Sequence, residues 1–475
     1  MNVFRHQQQS IYETMCRNLI PDHQNLLWEP WLLEVDALLE DEELIDLVHQ
    51  ALGRRRKQSS TRGRKSTPSE VVLRLMVLKH LRNWSYEVLE REVRANLVYR
   101  RFTRIGMEKV PDAKSILRLA NTIGPETIRK IHERVETLGQ KEKVARGKKM
   151  RLDTTVVETN IHYPTDSAIM GDAARVITRT IRKIQNEVGS AAGTFRNRMR
   201  SVSRRVIEIA RTARSRTAHG QNRMRTLYEK LIDTTRKVLG EAAKFVARAK
   251  EEIAAMSDPI RQAITQNLIG ETEHMSDLAE RVVAQAKARV IDGDTHFADK
   301  IVSVFEPETE IIRKGKASKP TEFGKMIKIQ EAENQLITDY QVFEQRPADA
   351  ELLLPAIEKH REQFGHVPRL VAADAGFFSA ENEAGARTAG VKRVSIPNRQ
   401  TRSPARIKHQ RERWFKRGQR WRVGSEGRIS VLKRRHGLTR CRYKSPSGME
   451  RWVGLGVIAN NLVVIGNHRA KKKKK

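Results

Sequence analysis

Cysteine is almost missing from this chain of 475 residues: there are two, Cys16 and Cys441, and neither has a partner at metal-ligand spacing. A disulfide framework and a zinc site are therefore excluded, and a reducing compartment fits. Long apolar runs are missing too, so no segment is predicted to span a bilayer. The opening residues, Met1 to Gln7, lack the apolar core of a signal peptide. A soluble, cytoplasmic protein with no membrane partner is expected. Acids are scarce beside bases: 57 Asp and Glu against 91 Lys and Arg, a formal charge of +34. Such a surplus repels itself unless a polyanion neutralises it, which makes nucleic acid the expected partner. Affinity should then fall steeply with salt, since each phosphate contact releases counterions. A ribosome-like packing protein would gather its cations in tails, whereas here they run throughout.

The length allows two to four domains. Residues 1–66 read as short helices followed by a basic, Ser- and Gly-bearing linker from Gly53 onward. Residues 67–140 read as an all-α block. Thr67-Pro68-Ser69-Glu70 starts one helix, with Val71, Val72, Leu75, Leu78 and Leu81 as its apolar stripe, and Ser85 caps the next. Together with Arg91, Arg94, Arg100, Arg101 and Arg104, this predicts a helix-turn-helix-like DNA-binding domain. Residues 147–163 change character to a β-rich run. A hairpin is predicted over 299–313, strands over 325–329, 336–342, 369–373 and 391–396, and helices over 350–364, 380–389 and 425–436. The fold class is thus α/β: residues 141–166 and 298–470 form a mixed sheet flanked by helices. Residues 167–297 interrupt it as a long helical insertion with dense arginine on its outer faces, read either as a phosphate-gripping arm or as a self-association surface. The 471–475 lysine tail is expected to be disordered.

Three acids stand out. Asp153 lies within the first β-run, Asp374 ends a later strand, and Glu426 lies in the helical stretch beyond it. Singly, each is a turn former, a cap or an ordinary helix residue. Jointly, in so basic a chain, they suggest hard-cation chemistry on phosphodiesters. Two divalent ions can activate a nucleophile and stabilise the leaving oxygen, and Mg²⁺ needs only a few carboxylates.

The blocks around these acids carry a resemblance. Residues 153–167 resemble the first-aspartate motif of the DDE transposases of bacterial insertion sequences, the ISNCY-like group most of all. Ala373-Asp374-Ala375-Gly376-Phe377 is similar to the family's second motif, and Arg422, Glu426 and Lys433 to its third. Gln419 stands where that third motif carries tyrosine. The resemblance covers about residues 65–465 and implies a ribonuclease-H-like catalytic domain. It also implies Asp153, Asp374 and Glu426 as catalytic metal ligands for Mg²⁺ or Mn²⁺, and Arg422, Lys433 and Arg428 as DNA contacts. The implied partners are double-stranded DNA (terminal inverted repeats and target) and a second copy of the chain on paired ends, in a nucleoid-associated bacterial setting. The implied activity is cleavage at the repeats followed by attack of the 3′-hydroxyls on target DNA. A catalytically silent copy acting as a repressor and a general nuclease of the same fold are the alternatives. Asp292-Gly293-Asp294-Thr295-His296 reads as a turn rather than a metal site, and His162 beside Asp166 as a structural hydrogen bond. Trp414, Trp421 and Trp452 read as core packing rather than base stacking.

Overall fold

Among the described residues, seven helices precede the first strand: α1 (Pro30–Leu38), α2 (Glu42–Gly53), α3 (Ser69–Arg82), α4 (Tyr86–Ala95), α5 (Leu97–Phe102), α6 (Ala113–Thr122) and α7 (Pro125–Lys141). The structure, a computed structural model, describes residues 3–6, 27–54, 66–189, 193–215, 217–254, 256–313 and 320–473. Most of the basic linker therefore lies outside the described residues, as does Cys16. The helix starts follow local chemistry: Asp41, Ser85, Asn96 and Asp112 each accept a first-turn amide that would otherwise lack a partner. Helix α3 is not the striped surface helix its apolar spacing predicts, because every residue from Ser69 to Leu81 is buried. Its Arg74 is neutralised inside the protein. Arg74 bonds Glu70 at 3.0 Å and Asp36 at 2.8 Å. Arg104 also pairs with Asp36, and Arg100 donates to the carbonyls of Gly106 and Glu108. Those two arginines hold turns together, while Arg91 and Arg94 remain exposed.

Lys79 is the unusual member of α3. It is buried among Tyr86, Tyr443 and Trp452, whose ring centroids lie 4.6–5.3 Å from its ammonium. Burial pulls its pKa down to about 7. The unfolded chain therefore binds the extra proton between about pH 7 and 10.5, and stability rises with pH across that window. Lys79→Met should flatten this rise and leave the protein at least as stable at pH 7. Urea melts at pH 7 and 9 provide the check.

The chain divides into two units, residues 1–160 with 324–475, and residues 161–323. The second unit holds α8 (Asp166–Val188), α9 (Met199–Thr212), α10 (Ala218–Ala254), α11 (Pro259–Val290) and the short strand β2 (Glu310–Arg313). Its core is helical, built from residues such as Ile177, Leu231, Phe245 and Val282. The predicted hairpin over 299–313 reduces to β2. Ile301 and Val304 instead join this core, and the Gln285 amide satisfies both the N–H and the carbonyl of Ile301 at 2.9 Å. A side chain thus replaces the strand partner.

In the first unit, β1 (Lys149–Glu158), β3 (Thr321–Glu331), β4 (Ile337–Val342), β5 (Leu370–Ala372) and β6 (Arg393–Ser395) form a mixed sheet. β3 runs antiparallel between β4 and β1, while β1, β5 and β6 run parallel. The order β4-β3-β1-β5-β6 places β1 at the junction of the two halves. Gly324 makes the close approach possible, because a Cβ there would overlap the Val157 carbonyl. Helices α12 (Leu353–Phe364), α13 (Ala380–Thr388), α14 (Pro404–Arg411), α15 (Arg413–Arg435) and α16 (Pro446–Lys473) complete the unit.

The helical block is not a separate domain as its sequence suggests. Leu455, Ile458, Leu462 and Ile465 of α16 share one core with α1–α7. Asn461 of the same helix pins β4 by bonding both the N–H and the carbonyl of Ile337. The lysine tail also departs from expectation: α16 continues to Lys473, whose ammonium pairs with buried Glu34 at 2.6 Å, beside Arg469 at 3.1 Å. A buried carboxylate needs that neutralisation, and the helix supplies it.

Candidate active site

The register between β1 and β5 decides where the two aspartates lie. Arg151 pairs with Ala372 across parallel strands. Asp153 and Asp374 each lie two residues further on. Side chains alternate along a strand, so Asp153 shares the face of Arg151, and Asp374, just past the end of β5, lies near enough for the two charges to interact. Their proximity has an electrical consequence: burial raises the Asp153 pKa above the ordinary carboxylate range, and the charge of Asp374 adds to the rise. Hydrogen bonds and the cation of Arg422 work the other way. Asp153 Oδ1 accepts the Thr154 amide and Oδ2 accepts the Ser425 hydroxyl, both at 2.8 Å. Asp374 is half exposed. It caps the turn that follows by accepting the Ala375 amide at 2.7 Å, and it meets the Arg399 guanidinium at 3.5 Å.

Helix α15 brings the third motif. It starts at Arg413, twelve residues before the predicted start, because glycines at 418, 424 and 427 weaken the helical signal. Gly424 has a packing reason: a Cβ there would overlap the Arg151 guanidinium. Without one, the helix passes close over β1, and Arg151 bonds the Trp421 carbonyl at 2.6 Å. Ser425, 2 % exposed, then faces Asp153. Glu426 is the next residue round the helix and projects outward, with its side chain 63 % exposed and paired to Arg422 at 3.3 Å. Arg422 thus lies between Asp153 and Glu426. Lys433, two turns beyond Glu426, is half-buried.

The structure brings Asp153 and Asp374 together and places Glu426 on the neighbouring helix, turned to Arg422. Among the described residues, no three His, Cys, Asp or Glu side chains converge as a metal-holding group. Arg428 is 8 % exposed and faces the interior, bonded to Asn460 at 2.6 Å and 4.0 Å from Glu331. That placement makes it a structural cation rather than a DNA contact. The repulsion between the two aspartates is what a hard dication would relieve, so this pair fits such an ion.

Two site residues escaped the sequence reading. Gln419 donates to the Ala373 carbonyl at 3.4 Å and to Ser395, tying together the ends of β5 and β6 just before Asp374. Its place in the third motif was the only signal. Asp349 accepts the Thr154 hydroxyl at 3.1 Å and lies against Gly376, so it braces both aspartate-bearing segments. Nothing local to the sequence marks it. Beside Asp374, a cavity of about 680 Å³ opens among Asn398, Arg399, Phe415, Lys416, Gln419 and Arg420.

Other candidates resolve as structural. Trp452 is buried and donates to the Gly437 carbonyl, and the Trp421 ring carries Arg151 at 5.1 Å. In the second unit, His162 bonds Asp172 at 3.0 Å rather than Asp166, and Asp294 accepts the His296 amide within a turn.

Searches of curated proteins and of solved structures gave no match. Two family models do match: a Transposase domain over residues 17–122 and a Transposase DDE domain over residues 300–462. The second holds Asp374 and Glu426, while Asp153 lies outside it and is joined to it by the pairing of β1 with β3 and β5. These two domains indicate a DDE transposase.

Proposed function

We propose that this chain cleaves the ends of an insertion element at its terminal inverted repeats and joins the 3′-hydroxyls to target DNA. The observation that carries the reading is that Asp153 and Asp374 each lie two residues beyond the last paired residues of adjacent parallel strands, near enough for their charges to interact. The strand order, three antiparallel strands continued by two parallel ones, supports a ribonuclease-H-like sheet. Asp153 and Asp374 would hold Mg²⁺ or Mn²⁺, with Glu426 added once its side chain leaves Arg422. Bound there, a divalent ion supplies Lewis acidity to the phosphodiester.

The chain's own residues do the rest. Ser425 holds the Asp153 carboxylate in place and favours its charged form. Gln419 fixes the strand end that presents Asp374. Arg422 and Lys433, on one face of α15 with Glu426, contact phosphate oxygens near the scissile bond. Paired element ends call for a second copy of the chain. Ser425→Ala removes a bond to the charged form of Asp153, so its pKa rises further. The acid limb of the cleavage pH profile should then move to higher pH, which initial rates across pH 5–8 would read.

The deciding experiment incubates the full chain with Mg²⁺ and duplexes bearing the inverted repeats that flank its gene. Nicks at the repeat ends, and none on scrambled duplexes, are expected. Equal cutting of both would identify a general nuclease, and binding with no nicking would identify a silent repressor.

A further inference from the structure

Neither family match reaches residues 123–299, yet the second unit there has a strongly polarised charge distribution. Residues 175–237 carry seventeen Lys and Arg against four acids, whereas residues 251–310 carry five against thirteen. The structure places much of the basic half on two helices. α8 buries Ile177, Ile181 and Ile184 and exposes Arg175, Arg179 and Arg182 at spacings of four and three, a single face. α9 buries Val202 and Ile209 and exposes Arg200, Arg204 and Arg211, again on one face. Arg179, Arg182, Arg200 and Arg211 form no ion pair with any described residue, although α11, with four acids, lies in the same bundle.

We propose that the outer faces of α8 and α9 form a sequence-independent docking surface for the phosphate backbone of duplex DNA. Four observations favour DNA over a protein partner. The cations are nearly all arginine, which pairs with phosphate in bidentate fashion. Arg179, Arg182, Arg200 and Arg211 are left unneutralised at the protein's own cost in self-repulsion. Protein interfaces concentrate apolar and aromatic groups at their centre, and of these two stripes only α9 exposes a large apolar residue, Ile207. Their length also fits. From Arg200 to Arg211, eleven residues at 1.5 Å cover about 16 Å. Duplex DNA carries one charge per ~1.7 Å with both strands counted, so such a stripe runs along a stretch with about five phosphates on each strand.

The test compares two variants of the full chain. One carries Arg179→Gln, Arg182→Gln, Arg200→Gln and Arg211→Gln. The other carries four exposed cations from elsewhere in the unit changed likewise, Lys244→Gln, Arg261→Gln, Arg281→Gln and Lys287→Gln. Glutamine keeps helix propensity, and circular dichroism confirms the fold. Binding to a random-sequence duplex is measured over a salt series without divalent cation, so the reading stands apart from any cleavage activity. For the stripe variant, the slope of log affinity against log salt should shrink by about 3.6, or 0.9 per lost contact, and affinity should drop at least ~10-fold at low salt. The control should keep its slope within about 1. Equal slopes in both variants overturn the proposal. So does a stripe variant that binds DNA normally but changes its oligomeric state by light scattering, since the face would then meet the acids of a second copy.

Discussion

Asp153→Asn is expected to abolish Mg²⁺-dependent nicking of repeat-bearing DNA, by at least ~10³-fold, while leaving DNA affinity within about twofold. A thousandfold loss corresponds to about 4 kcal/mol of transition-state stabilisation, the scale on which a charged group at a reacting centre acts. The substitution is nearly isosteric, and Ser425 can rotate its hydroxyl to accept from the new amide. The side chain it replaces is one whose charged form burial and Asp374 both oppose. Folding stability should therefore hold or rise slightly, so lost cleavage cannot be put down to lost fold. Arg422 keeps Glu426 as a partner. Asp374→Asn should behave alike in cleavage, with a smaller change in stability because that carboxylate is half exposed. Gel assays on one labelled duplex, with thermal melts of each variant, decide the matter. Undiminished nicking by the Asp153 variant would remove that residue from the site.

Sequence periodicity carried the sheet well, since its strands bury alternating or continuous β-formers. It failed where partners come from afar. The 299–313 hairpin was lost to Gln285, a side chain sixteen residues before Ile301 that occupies the backbone groups a strand would use. The start of α15 was hidden because glycine lowers helix propensity locally, while the gain, close passage over Arg151, is tertiary. Helix α3 looks amphipathic in isolation. Its polar residues are in fact buried against Asp36, Phe102 and Tyr443, all remote in sequence.

The same limit applies at the site. Asp153, Asp374, Glu426 and Arg422 were legible from composition and resemblance. The facing of Glu426 toward Arg422, the inward turn of Arg428 and the bracing by Asp349 depend on helix phase and loop course. Arg422 and Arg428 look alike in one dimension, one on each side of Glu426. In three, Arg422 borders the aspartates while Arg428 lies in the core beside Glu331.

Arg151→Met should be the most damaging single change to the fold of the first unit, costing about 3–5 kcal/mol. Arg151 and Glu331 form a 2.6 Å ion pair with side chains 4 % and 1 % exposed. Burial pushes the Glu331 carboxyl up and Arg151 opposes the push, so removing the arginine leaves a buried charge with only the more distant Arg428. Stability carried by a carboxyl whose folded pKa is raised is present below its unfolded pKa of about 4.5 and is lost as pH climbs through the folded value. The variant should accordingly lose more stability relative to wild type at pH 8 than at pH 5. Adding Glu331→Leu should recover part of the loss by removing the stranded charge, though not all of it, because Arg428 then loses a counter-ion. Urea midpoints for the four members of this cycle at both pH values measure the coupling. Cleavage should decline with the fold even so, because Arg151 also ties the Trp421 carbonyl to β1 and so sets where Ser425 meets Asp153. If Arg151→Met melts like wild type, the pair contributes neither to the fold nor to the placement of α15 over the aspartates.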